Sequence, residues 1–161
     1  MGECKLLVAR ITAFSHFSQT MIIHPRHFIR FLDGRGGNAI NIAFLPGDLG
    51  ACIQTLETSV KLRLDYAKKL LTKHKVRYQG FEYIQEAIDN GMCIQENETH
   101  LRFLYAKDNV KPEIYLLVVK TDARRKELWL VTFHKIGKRQ FSAKTAPKAV
   151  IRLHMERDFS G

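Results

Sequence analysis

Apolar and polar positions along the chain fall into stretches of different period, and each period names an element. Residues 1–47 read as β-structure, because "CKLLVARITAF" and "TMIIHPRHFIRFL" are rich in β-branched and aromatic residues. Within them "FIRFL" and "AINIAFL" flank the turn-rich "DGRGGN", which predicts a hairpin. Pro46-Gly47 closes this section and Asp48 is a good helix N-cap. From there Leu49, Cys52, Ile53, Leu56, Val60, Leu64, Ala67 and Leu71 recur at spacings of three and four, the stripe of an amphipathic helix. A break is expected near Thr58-Ser59, and His74 falls on the same inward side at the helix's C-terminal end. Phe81, Ile84 and Ile88 mark a second, shorter helix stopped at Asn90-Gly91. Four strands then follow, "MCIQ", "LRFLYA", "EIYLLVVKT" and "ELWLVTFHK", joined by the short polar links "ENETH", "KDNVKP" and "DARRK". The pattern predicts an α+β fold with two helices packed on one face of a four-stranded antiparallel meander. It divides the chain into an N-terminal β section, 1–47, and a helix-helix-four-strand domain with a tail, 48–161. In that tail, Thr145 and Pro147 suit the start of a short final helix.

Polar residues that a core does not need stand out against this pattern. On the last strand, strict alternation sends Trp129, Val131 and Phe133 one way and Leu128, Leu130, Thr132 and His134 the other. The third strand is unbroken apolar from Ile114 to Val119 before Lys120 and Thr121 emerge, and Arg102 is the one charge in "HLRFLY". His74, Arg102, Thr132 and His134 are therefore the candidate site residues, with Lys120 and Lys135 behind them. Antiparallel geometry places Lys120 at the opposite edge from Thr132 and His134, so the pattern does not gather all six. Each residue also has a plain structural reading. A histidine on a helix stripe is most often satisfied and partly buried, an arginine in a strand snorkels to the surface, and threonine needs only its β-propensity. His24 and His27 have an H-x-x-H spacing, but Pro25 separates them and no third metal ligand is evident.

Composition adds one strong fact. The 161 residues carry a net charge of +10 with a pI near 9.7. Basic residues crowd 61–77 and 102–152, whereas 78–100 hold acids and no Lys or Arg. A polyanionic partner follows: nucleic acid first, an acidic protein second, a membrane surface third. Cys4, Cys52 and Cys93 are odd in number and widely spaced, which disfavours a zinc ribbon or disulfide framework and fits a reducing cytoplasm. No apolar run is long enough to span a bilayer, and Glu3 and Arg10 spoil a signal peptide. Leu6, where Ser or Thr is required, spoils a myristoylation signal. Walker A, dinucleotide-binding, H-E-x-x-H and G-x-S-x-G motifs are absent.

The stretches "LLTKHK" (70–75), "LRFLYA" (101–106), "YLLVVK" (115–120) and "LWLVTFHK" (128–135) together carry a likeness. A first helix ending in a basic "KH", a meander bearing an Arg or Lys, and a late "LVT" plus aromatic resemble the barnase–EndoU–colicin–RelE-like (BECR) ribonucleases. The small phage and mobile-element domains of that group are the nearest branch. The likeness covers roughly residues 50–140, and it departs from the group at His134, where a tyrosine often follows "VTF". What it implies is toxin-like RNA cleavage without metal or other cofactor: His74 and His134 as acid and base, Arg102 and Thr132 on the phosphate. Lys73, Lys75, Lys120, Lys135, Lys138 and Arg139 would hold the RNA backbone, and an acidic antitoxin or immunity protein would be the protein partner. A basic nucleic-acid-binding domain that does not cut, or an interaction protein with an acidic partner, fits the composition equally well.

Overall fold

The computed structural model describes residues 23–107, 113–145 and 150–152. Its first element is a helix, α1 (Pro25–Leu32), where a strand was expected from "FIRFL". Pro25 supplies the fixed φ of a first helical turn, and the His24 ring accepts the Arg26 N–H at 3.3 Å as an N-cap. Phe28 and Phe31, three apart, are both buried, and Phe28 packs against Phe81 with ring centroids 4.8 Å apart and the planes tilted by 58°. That three-residue spacing, with the cap, outweighs the β-propensity of the segment. "AINIAF" does form a strand, β1 (Ala39–Phe44). The expected strand "CKLLVARITAF" lies outside the described residues.

The single amphipathic helix expected from Asp48 onward is three elements instead: α2 (Gly47–Cys52), β2 (Ser59–Arg63) and α3 (Leu64–Thr72). Gln54, with φ at 57°, breaks the helix, and Leu56, a member of the supposed stripe, is 100% exposed. Val60 and Leu62 are buried at strand spacing, and Ala67 and Leu70 form the buried face of α3. A 3₁₀ turn (Tyr78–Phe81) then leads into α4 (Glu82–Asn90), which ends at Gly91. A Cβ at Gly91 would collide with the Ala87 carbonyl, so this close approach needs glycine.

Strands β3 (Met92–Gln95), β4 (His100–Ala106), β5 (Ile114–Thr121) and β6 (Leu128–Ile136) follow, then α5 (Lys138–Thr145) and the three-residue β7 (Val150–Arg152). Val150–Arg152 is thus a strand where a final helix was expected. The sheet is open and mixed, ordered β1-β2-β6-β5-β4-β3, with β7 appended at the β3 edge. Neighbours are antiparallel except β2 with β6, which are parallel. The α+β class holds, but two helices on a four-stranded meander do not describe this architecture. Because β2 docks beside β6, the sheet continues into β1, so Ala39–Phe44 shares it with the later strands.

The two sheet faces differ. Helices α1–α4 cover one, burying Val60, Leu62, Leu101, Phe103, Leu117, Leu128, Leu130 and Phe133 with their own apolar stripes. The other carries a smaller cluster of Ile94, Leu104, Leu116 and Val118, with Phe141 of α5 packed on it. A bulge at Val131 decides which face the end of β6 presents. Val118 pairs with Thr132 while Val119 pairs with Leu130, so Val131 is an extra residue. Strict alternation grouped Leu128 and Leu130 with Thr132 and His134. The bulge corrects this: the leucines face the helices, and Thr132 and His134 stand opposite them with Val118 and Leu116. Among the described residues no helix is long and apolar enough to cross a membrane. Cys93 is a buried free thiol.

Candidate functional site

Only the N-terminal end of β6 pairs with β2, at Leu128 and Trp129, and among the described residues no strand lies beside its C-terminal half on that side. Helix α3 runs along that edge. The Tyr66 hydroxyl accepts the Phe133 N–H at 2.8 Å, occupying a backbone group that a neighbouring strand would otherwise take. Burial pushes the Tyr66 phenol above its usual pKa, against the opposing effect of that hydrogen bond. The chain then turns back sharply: Lys75 has φ at 51°, a left-handed conformation usually taken by glycine or asparagine. The Val76 N–H bonds to the Leu70 carbonyl at 3.0 Å, closing the turn. This turn holds His74, half-buried, against the strand edge.

His74 meets His134 there. Their ring centroids are 5.3 Å apart with 15° between the planes, so the imidazoles lie nearly parallel. Both line a cleft of about 980 Å³ with Lys73, Lys75, Arg77 and Lys135, against one carboxylate, Glu113. Tyr83 and Tyr115 form its aromatic wall, their centroids 5.4 Å apart. Glu113 accepts from Lys135 at 2.9 Å and from the Tyr115 hydroxyl at 3.1 Å. The Lys135 bond, with Tyr115's, holds its carboxyl below the usual range. Burial and then Glu113 raise the Tyr115 phenol far enough to keep it a hydrogen-bond donor.

His134 also borders a second cleft of about 440 Å³, lined on the opposite sheet face by Glu96, His100, Arg102, Thr132 and Gln140. Arg102, Val118 and Thr132 form one row across three strands. Arg102 is 7% exposed and ion-paired with Glu96. Burial lowers its pKa, yet a guanidinium stays charged at any ordinary pH.

The structure thus gathers His74 and His134 in one cleft and Arg102, Thr132 and His134 in the other. Of the expected backbone contacts, Lys73, Lys75 and Lys135 line the first cleft. Lys120 is exposed opposite His100 on the β4–β5 ladder, and Lys138 and Arg139 are exposed on the first turn of α5; none of the three lines either cleft. Sequence reading missed Arg77, Tyr83, Glu113, His100 and Gln140. Arg77 was visible in the basic run after His74; His100 was hidden at a strand's first residue. His24, of the H-x-x-H pair, is occupied as a helix cap. Among the described residues, no three His, Cys, Asp or Glu side chains gather as metal ligands would. No family model, curated protein or solved structure matches the chain.

Proposed function

We propose that the chain is a metal-independent endoribonuclease of BECR type, in which His74 and His134 share the acid and base roles. The observation that carries this reading is the pair of near-parallel imidazoles, 5.3 Å apart, at the wall of a basic cleft. One neutral ring takes the proton of a ribose 2′-hydroxyl, and the oxygen attacks the adjacent phosphorus. As the new O2′–P bond forms, the P–O5′ bond breaks, and the other ring, protonated, delivers its proton to the departing 5′-oxygen. The products are a 2′,3′-cyclic phosphate and a 5′-hydroxyl. Histidine suits both halves because its ordinary pKa, about 6.5, leaves each form accessible near neutrality.

Lys73, Lys75, Arg77 and Lys135 supply the positive field for the crowded phosphate, whereas Thr132 lines the second cleft on the opposite sheet face. Arg102, engaged by Glu96 in the second cleft, is better placed to shape that cleft than to hold the scissile phosphate. The strained Lys75 backbone agrees with this reading, since such conformations collect at sites that need a side chain held in place.

Incubating the protein with total cellular RNA in EDTA, then mapping the new ends, tests the proposal. Cyclic phosphate ends are the expected result. RNA retained in a salt-sensitive complex without any product would favour the non-cutting binding domain.

A further inference from the structure

We infer that the second cleft is a nucleobase subsite for a nucleotide next to the one that is cut, so that the substrate strand folds over the edge of β6 at His134. This rests on the ribonuclease reading and extends it to the form of the substrate. The two clefts lie on opposite sides of the sheet and share one residue, His134. Tyr115, in the first, projects among the helices, whereas Leu116 and Val118, in the second, belong to the opposite cluster. Any polymer occupying both must bend round a single strand edge. A flexible single strand can do this; a stacked duplex cannot.

Their linings suit different parts of a nucleotide. The first has four cations against one carboxylate, a lining for phosphate. The second has no lysine, and its one arginine is offset by Glu96. Its walls are Leu116, Val118, Val131 and Ile136, with a polar rim of His100, Thr132 and Gln140. Apolar walls with a few placed donors and acceptors fit a flat base with a polar edge.

His100 has a defined role on that rim. The Asn97 Oδ1 already accepts the Thr99 N–H at 2.8 Å and the Thr99 hydroxyl at 3.0 Å, and it lies 2.9 Å from His100 Nδ1. The Thr99 hydroxyl also lies 2.7 Å from Nδ1, so that nitrogen is engaged within its own loop. That leaves Nε2 for the polar edge of a base, as acceptor or donor according to the tautomer. Burial, then the Lys120 charge, favours the neutral form.

Titrating the full chain with a 2′-O-methyl RNA trinucleotide, which lacks the attacking hydroxyl, tests this by backbone amide shifts. Perturbation of Arg77 and Tyr83 together with Val118, Val131 and Gln140 is expected, whereas inorganic phosphate should perturb the first pair alone. Trinucleotide shifts confined to the first cleft would overturn the base subsite and leave the ribonuclease reading standing. Shifts in neither would remove both. His100→Gln and Gln140→Ala should each weaken trinucleotide binding by roughly two- to tenfold, the worth of one hydrogen bond, without changing the affinity for phosphate. Unchanged trinucleotide affinity in both variants would count against the subsite.

Discussion

In the proposed reaction His74 and His134 depend on the residues around them to set the position of each ring. His74 is held by the left-handed turn at Lys75, and His134 by its place in the β5–β6 ladder opposite Leu116. Replacing Lys75 with glycine relaxes that turn while removing a cleft cation. Lys75→Gly should therefore leave thermal stability within about 1 kcal/mol of wild type while lowering kcat/KM, read by denaturation and kinetics side by side. For His100, burial and the Lys120 charge depress the folded pKa. A depressed value means that His100's contribution to stability is present above about pH 6.5 and is lost as pH falls through the folded value. Lys120→Ala should raise the His100 pKa toward the ordinary histidine value and reduce that loss. NMR titration of the ring protons measures it, and a pKa unmoved by the substitution would refute the Lys120 contribution.

At the scale of elements, the central contact is α3 against the edge of β6, fixed by the Tyr66 hydroxyl and the Phe133 N–H. Tyr66→Phe leaves that part-buried N–H without its acceptor and should cost about 1 kcal/mol in denaturant unfolding, with a fall in activity as His74 loses its register with His134. Full activity in a destabilised Tyr66→Phe protein would show that the edge contact does not position the histidines. This contact also marks where sequence reading worked and where it stopped. Strands β3–β6 and α4 were legible because long apolar runs and the Asn90-Gly91 stop leave few alternatives. The segment 48–72 was not, because Leu56, Val60 and Leu64 keep a helical spacing by coincidence while the backbone turns at Gln54 and extends from Ser59. Phe28 and Phe31 did show a helical spacing after Pro25, but the aromatic and β-branched content obscured it. The candidate site was half legible. His74, Arg102, Thr132 and His134 could be chosen as polar residues at the ends of apolar elements, but the Val131 bulge that sets their face has no sequence signal.

For the whole molecule, part of the net charge of +10 has a location: four cations line one cleft beside the paired imidazoles. Binding of a single strand there should weaken with salt by about 0.7 log units per phosphate contact, a slope of roughly −2 to −3 given that Lys135 is partly engaged by Glu113. A slope near zero in a fluorescence titration would place the RNA elsewhere on the surface. The most direct measurement of the central claim is the initial rate of single-stranded RNA cleavage in chelator by the wild-type chain and by the His74→Ala/His134→Ala double variant. The account predicts cyclic-phosphate ends from the wild type and a rate lower by at least about 10²-fold in the double variant, with its fold intact by circular dichroism. Cleavage by the double variant at the wild-type rate would contradict it.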